Sequence, residues 1–492
     1  MMFLKTLCLP LLFTLISLRS CFGIDSYTED PFHVDFRRGR AYRRPISYRP
    51  YVRTFGHVPN IRNYRNPYSV NRFDHNSGIR ARLDRARGPM TSKMVNVDDF
   101  GAKANGRDDS LAFKKAWNYA CSSSQGATMV VPKKKTYHVK PINFSGPCKS
   151  PLVLKIYGTI KATTDHSEYE GNGRRWLYFD NVENLRVEGG GTINGNGRTW
   201  WEKSCKINKA LVTLQGSANC KLLHLLCVVF RIWPTCVNIF SSELQAVTFN
   251  ECTNLRVSSL RIKNAQQMHL IFRECVNVNA FNLRVKAPGN SPNTDGIHVT
   301  GTQNININNC VIGTGDDCIS IVSGSKNVRA TGITCGPGHG ISIGSLGAGN
   351  SAAYVSNVIV NKATFRDTTN GVRIKTWQGG SGYAKNIRFQ NIVMNNVSNP
   401  IIIDQNYCDK RKPCRKQVSA VQVSDVLYQN IRGTSATGVA VKFDCSQSVP
   451  CRRIYLQDVA LRAEEEDSAQ ASCANVRLSY RGDVSPPCSS QN

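Results

Sequence analysis

The sequence is short of acid. Only 34 Asp and Glu stand against 63 Lys and Arg, a formal net charge of +29, and such an imbalance steers a protein toward a polyanionic partner. None of its 19 cysteines forms a Cys-x-x-Cys pair, which argues against a zinc site. Beyond residues 1–23, no apolar run approaches the roughly 18 residues that a membrane span needs. The nearest rival, Leu222 to Ile239, is interrupted by His224, Arg231 and Pro234. The glycine-rich run Gly336 to Gly347 lacks the Lys-Ser/Thr ending and the following helix of a phosphate loop.

Residues 1–23 read as a cleavable secretory signal, with Lys5, an apolar run from Leu7 to Leu18, and a small residue at Gly23. A secreted chain makes acidic polysaccharide, rather than nucleic acid, the expected polyanion. Outside the signal 17 cysteines remain, an odd number suited to an oxidising compartment with at least one thiol left over. Short spacings suggest the pairs Cys408–Cys414, Cys445–Cys451, Cys473–Cys488 and Cys318–Cys335. The sequons Asn143-Phe144-Ser145 and Asn396-Val397-Ser398 fit a secreted glycoprotein. Residues 24–93 are an Arg-rich extension or pro-segment: between Arg37 and Arg87 fourteen Arg stand with only Asp74 and Asp84, without apolar periodicity, so the stretch is expected to be disordered.

The folded domain is expected over residues 94–488, followed by a tail at 489–492. Val95 to Phe100 alternates like a short strand. Asp108-Asp109-Ser110 then precedes Leu111, Phe113, Ala116, Trp117 and Ala120 at helical spacing. One amphipathic helix ahead of a strand-rich chain predicts a cap on a solenoid. From Val182 onward a unit recurs: Asn254-Leu255-Arg256-Val257, Asn277-Val278-Asn279-Ala280, Asn304-Ile305-Asn306-Ile307 and Asn327-Val328-Arg329-Ala330, at steps of 23, 27 and 23 residues. That period, with Asn at one corner, predicts an all-β, right-handed parallel β-helix; an antiparallel sandwich would show two-residue turns instead. The Asn residues are expected to stack into ladders that satisfy buried backbone, and Cys252, Cys275 and Cys310 to fill the core. Residues 212–245 break the period and read as an atypical insertion, either a loop or the translation of a retained intron.

Four polar clusters interrupt the strands between Asn293 and Lys375: Asn293-Thr294-Asp295-Gly296, Gly315-Asp316-Asp317-Cys318, Gly338-His339-Gly340 and Arg373-Ile374-Lys375. Asp295, Asp317 and His339 recur at steps of 22 residues. With neighbouring strands about 4.8 Å apart, three rungs gather such groups within roughly 10 Å. Arg373 and Lys375 share a face because strand side chains alternate. Three carboxylates, a histidine and two cations on one patch suit a reaction on an acidic substrate. His269 and His298 read as structural.

In this order and on this repeat, the clusters resemble the plant polygalacturonases of glycoside hydrolase family 28. Supporting stretches are Asn96 to Ala102, Arg261-Ile262-Lys263-Asn264, Ser342 to Gly347 and Asp404-Gln405-Asn406-Tyr407-Cys408. The resemblance covers about Met94 to Cys488 and implies hydrolysis of the α-1,4-galacturonosidic bonds of pectin by an inverting general acid/base mechanism, with endo action preferred. By the family pattern Asp316 would be the general acid, and Asp295 and Asp317 would activate water. Crowding of the three raises the proton affinity of at least one. His339 would bond the acid or a sugar hydroxyl, its flanking Gly338 and Gly340 allowing close approach. Arg373 and Lys375 would hold the substrate carboxylate, Asn293 would position Asp295 or substrate, and Tyr407 would line the cleft. No metal or organic cofactor is implied. The expected partner is de-esterified pectin, without nucleic acid or membrane, and the chain is expected to be monomeric. A pectate or pectin lyase and a catalytically silent pectin-binding wall protein are the alternatives.

Overall fold

Each sequence repeat folds into one coil of three short strands, as in Met268–Arg273, Val276–Phe281 and Arg284–Lys286, followed by Ile297–Thr300, Gln303–Asn308 and Val311–Gly313. The computed structural model of the chain describes residues 92–170, 174–204, 244–409, 414–464 and 468–488. Among these residues successive coils pair in parallel, for example Leu270 with Ile297, Ile297 with Ile319 and Ile319 with Ile341. One sheet of 11 strands runs from Ile142–Ser145 to Gln470–Ala474 and carries the polar clusters. The remaining paired strands form a 19-stranded sheet. The fold is a parallel β-helix.

Alternation explains which residues this sheet buries. Leu270, Ile297, Ile319, Ile341, Val372, Ile401 and Val441 lie in register and are fully buried. Two residues further along each strand, Phe272, Val299, Ile321, Ile343, Ile374, Ile403 and Phe443 form a second apolar column. Each such side chain contributes about 1.5–3 kcal/mol by burial. The intervening positions, His298, Ser320, Ser342, Arg373, Ile402 and Lys442, therefore turn outward as one row. Most of this row is nevertheless covered by neighbouring groups, with His298, Ser320, Ser342 and Ile402 all buried.

The Asn ladder is present but lies on the surface. Asn254, Asn277, Asn304, Asn327, Asn357 and Asn386 are exposed, and each side-chain amide donates to the preceding Asn Oδ1 at 2.8–3.2 Å. The expected pairing with buried backbone is not what they do. All six have φ between 55° and 60°, a left-handed corner that Asn tolerates better than most residues. Cys252, Cys275 and Cys310 are free thiols buried in the core, as expected.

At the N-terminal end the helix Ser110–Cys121 buries Phe113, Ala116, Trp117 and Ala120. Trp117 packs on Phe144 and Phe179, and Phe179, Phe249 and Phe272 continue as a stack through successive coils. Leu111 is 65% exposed because it lies off this i, i+3, i+4, i+7 stripe. The opening strand is Lys93–Asn96; the rest of the expected strand is a 3-10 turn, Val97–Phe100, capped by the Asn96 side chain. All four expected disulfides form, and a fifth, Cys121–Cys148, ties the cap to the first coils. The signal, residues 24–91 of the extension, the 489–492 tail and the insertion as far as residue 243 lie outside the described residues. Gln245 belongs to the regular strand Gln245–Asn250, so the irregular stretch ends earlier than its sequence suggested.

Candidate active site

The carboxylates are held by the same device on two successive coils. Ser320 donates from Oγ to Asp295 Oδ2 at 2.7 Å, and Ser342 donates from Oγ to Asp317 Oδ1 at 2.7 Å. Both serines lie 25 residues after their aspartate. With its proton so directed, Ser320 accepts from His298 Nδ1 at 2.8 Å, while Ser342 accepts from Arg373 Nε at 3.0 Å. His298, Ser320, Ser342 and Arg373 are consecutive members of the outward row. The two serines escaped notice in the sequence, although they share the 22-residue step of Asp295, Asp317 and His339. Their partnership needs the turn between loop and strand, which a period does not reveal.

Asp317 is the anchor of the patch. Its side chain is 2% exposed, and Arg373 and Lys375 take one oxygen each, at 2.8 and 3.1 Å. Burial is the largest influence on the Lys375 ammonium and works against it, but Asp317, helped by Tyr407 and Asp316, leaves that pKa above the ordinary lysine value. Both cations, expected to hold a substrate carboxylate, also pair with Asp317. Tyr407 is half-buried, packs edge-on to Trp377 at 5.2 Å and lies beside Lys375, 5.4 Å from ring centroid to Nζ.

Asp316 has different partners. Its Oδ1 accepts from the Asp317 backbone N–H at 2.9 Å and from His339 Nδ1 at 2.9 Å. That bond raises the His339 pKa above 6.5, against an opposing effect of burial. Gly338 and Gly340, which flank this ring, lie close to neighbouring backbone. A Cβ at Gly340 would run into the carbonyls of Asn370 and Gly371, and one at Gly338 would lie 2.8 Å from the Asp316 carbonyl. The glycines let adjacent coils close.

Asp295 is buried, and its pKa is raised first by that burial and then by the charge of Asp316. Proton affinity rises in the crowded set, as expected, at Asp295. Asn293, expected to position Asp295 or substrate, makes no hydrogen bond to Asp295; its φ of 54° shapes the turn. Orientation comes from Ser320 and from His269, whose backbone N–H and ring Nδ1 both donate to the Asp295 carbonyl at 2.9 Å.

Asp316, Asp317 and His339 present ligand atoms within 4.8 Å of one another, a spacing that could hold a cation. Both Asp317 oxygens already accept from cationic side chains, which is a poor fit to a metal ligand. What the patch offers is one anchored carboxylate, one carboxyl sharing a proton with a histidine, and one carboxyl of raised proton affinity. Such a set can give and take protons across a bond.

Known proteins resemble the chain in sequence and in fold. The chain is 57% identical over 398 residues to Polygalacturonase QRT2 of Arabidopsis thaliana, covering 80% of this chain and 84% of that one. It is 58% identical over 398 residues to a polygalacturonase of Malus domestica, covering 81% and 79%. The structure superposes on endo-xylogalacturonan hydrolase from Aspergillus tubingensis with a TM-score of 0.64 at 21% identity, over 81% of this chain and 99% of that one, a likeness of fold. Residues 121–224 and 240–485 match the family described as Glycosyl hydrolases family 28. The chain belongs to that family.

Proposed function

We propose that this protein is a secreted polygalacturonase that hydrolyses the α-1,4-galacturonosidic bonds of de-esterified pectin in the cell wall. The carrying observation is the division of labour among the three carboxyls, with Asp317 fixed by Arg373 and Lys375, and Asp316 bonded to His339. Glycoside hydrolysis by inversion needs a proton for the leaving oxygen and a base for water on the opposite face. Asp316 fits the acid, since the His339 Nδ1–H beside it can restore its proton after each turnover. Asp295 and Asp317 fit the water-activating side. Arg373 and Lys375 lie at the rim of the same patch, where a galacturonate carboxylate can share their remaining donors. Asn293 and Tyr407 complete the substrate contacts.

Endo action is part of this reading, and the size distribution of the first-formed products tests it. The catalytic domain spans residues 94–488, carried by a monomer whose extension at 24–93 follows a cleaved signal. Proton NMR of the first-formed reducing ends tests the mechanism. Inverted anomers support it, whereas retained anomers exclude a water-activating role for Asp295 and Asp317.

A further inference from the structure

The sequence contains Arg-Ile-Lys twice. The copy at 373–375 is spent on Asp317, while the copy at Arg261-Ile262-Lys263 lies on another face of the coil and has no part in that site. In the next coil Arg284-Val285-Lys286 repeats it in register, so Arg261 stands beside Arg284 and Lys263 beside Lys286. Adjacent strands are about 4.8 Å apart, and like charges directly opposite one another are destabilising. One further coil back along the lysine row, beyond Asn194, stands Lys161. The apolar middle residues, Ile262 and Val285, are buried, while the four flanking cations are exposed.

Among the described residues no carboxylate pairs with this charge. Arg186, Arg198 and Arg453 each pair with a carboxylate, yet among the described residues none of Lys161, Arg261, Lys263, Arg284 and Lys286 lies in an ion pair. The strand Arg284–Lys286 also runs directly into the loop that carries Asn293 and Asp295. The stripe is thus continuous in chain with the wall of the catalytic patch.

We infer that this stripe is a second, non-catalytic binding surface for a linear polyuronate, taking a stretch of acidic polysaccharide that lies outside the cleft. The inference rests on the proposed polygalacturonase reading for the identity of the polymer. Cations repeated at strand spacing along the solenoid axis match a chain with one carboxylate per sugar, and bound carboxylates relieve the repulsion between the rows.

The test uses the full chain carrying Asp316→Asn, so that substrate is not consumed, with and without neutralisation of Lys161, Arg261, Lys263, Arg284 and Lys286 to Gln. Affinity for de-esterified polygalacturonate is measured against salt, with heparin as the comparison polyanion, and melting temperature is followed alongside. The inference predicts about tenfold weaker polymer binding at low salt and a shallower salt dependence, as expected for several screened surface charges. It also predicts that the melting temperature does not fall. A milder pair, Lys263→Gln with Lys286→Gln, should lose part of the affinity and guards against misfolding of the larger variant. Unchanged polymer binding in both variants overturns the inference, as does an equal loss for heparin with no preference for polyuronate. Turnover of a short oligogalacturonide by active enzyme is the separate check on the catalytic reading. It should be the same with and without the stripe, and its absence from the otherwise native enzyme would count against catalysis while leaving the binding comparison valid.

Discussion

His269 donates twice to one oxygen, from its backbone N–H and from ring Nδ1 to the main-chain carbonyl of Asp295, both at 2.9 Å. The far ring nitrogen, Nε2, accepts from the Ala265 N–H at 3.3 Å. This fixes a neutral tautomer, and full burial holds the ring's pKa down at about 4. The histidine therefore bridges two loops without contributing charge. Replacing it by Leu leaves the buried Ala265 N–H unanswered, which costs about 1–3 kcal/mol. It also frees the loop that aims Asp295. The expected outcome is a fall in kcat of roughly tenfold to a hundredfold with KM little changed, partly recovered by His269→Asn, whose amide can replace Nδ1–H. Steady-state kinetics and thermal melts check both effects.

Asp295→Asn should abolish turnover and raise stability at neutral pH. A carboxyl whose folded pKa is raised stabilises fully below its unfolded pKa and loses that contribution as pH rises through the folded value. As pH rises toward neutral Asp295 therefore loses stabilisation, whereas Asn does not titrate and still accepts from Ser320. Melting curves should show the variant ahead at pH 7 and the difference closing as pH falls below the ordinary value of 3.8.

The sign for His339 leads to a kinetic test. Its raised pKa means that its stabilising contribution is complete below 6.5 and is lost as pH climbs through the folded value. If the His339–Asp316 pair supplies the catalytic proton, the basic limb of kcat/KM follows that same loss and lies above 6.5. His339→Gln should move the limb to lower pH as well as reduce the rate. A limb that stays in place would separate the histidine from the proton supply.

Much of this was legible beforehand because solenoids convert sequence period into spatial stacking. The 22-residue step of Asp295, Asp317 and His339 and the alternation in Arg373-Ile374-Lys375 were enough to gather the patch. Partnerships across a turn were not legible. Ser320, Ser342 and His269 act through contacts set by loop geometry, and periodicity does not encode which donor a loop carbonyl meets. The glycines around His339 are expected from the sequence to allow close approach, and the structure adds that the backbone of the coils on either side lies against them. That contact depends on the distance between coils, which no local pattern contains.

Lys375→Met tests the anchor. Stranding a buried charge outright costs about 3–5 kcal/mol; Asp317 is 2% exposed but keeps Arg373, so the expected loss lies below that range. Adding Asp317→Asn should restore much of the lost stability without restoring activity. A single variant as stable as wild type would show that Arg373 and Ser342 suffice to hold the carboxylate.

The surface ladder can be weighed at Asn304, whose φ is 59°. Asn304→Ala forces a side chain lacking a hydrogen bond into the left-handed region, at a cost of about 1 kcal/mol or more. Asn304→Gly relieves the strain and loses only the ladder bonds, so its melting temperature should lie between those of the Ala variant and wild type.

The most direct measurement is product analysis on de-esterified polygalacturonate, comparing the protein with its Asp316→Asn variant. Saturated galacturonate fragments of mixed length from the wild type, independent of added calcium and absent with the variant, are the predicted result. Unsaturated, ultraviolet-absorbing products would contradict hydrolysis and indicate elimination on the same scaffold. Undiminished saturated products from the variant would remove Asp316 from the chemistry.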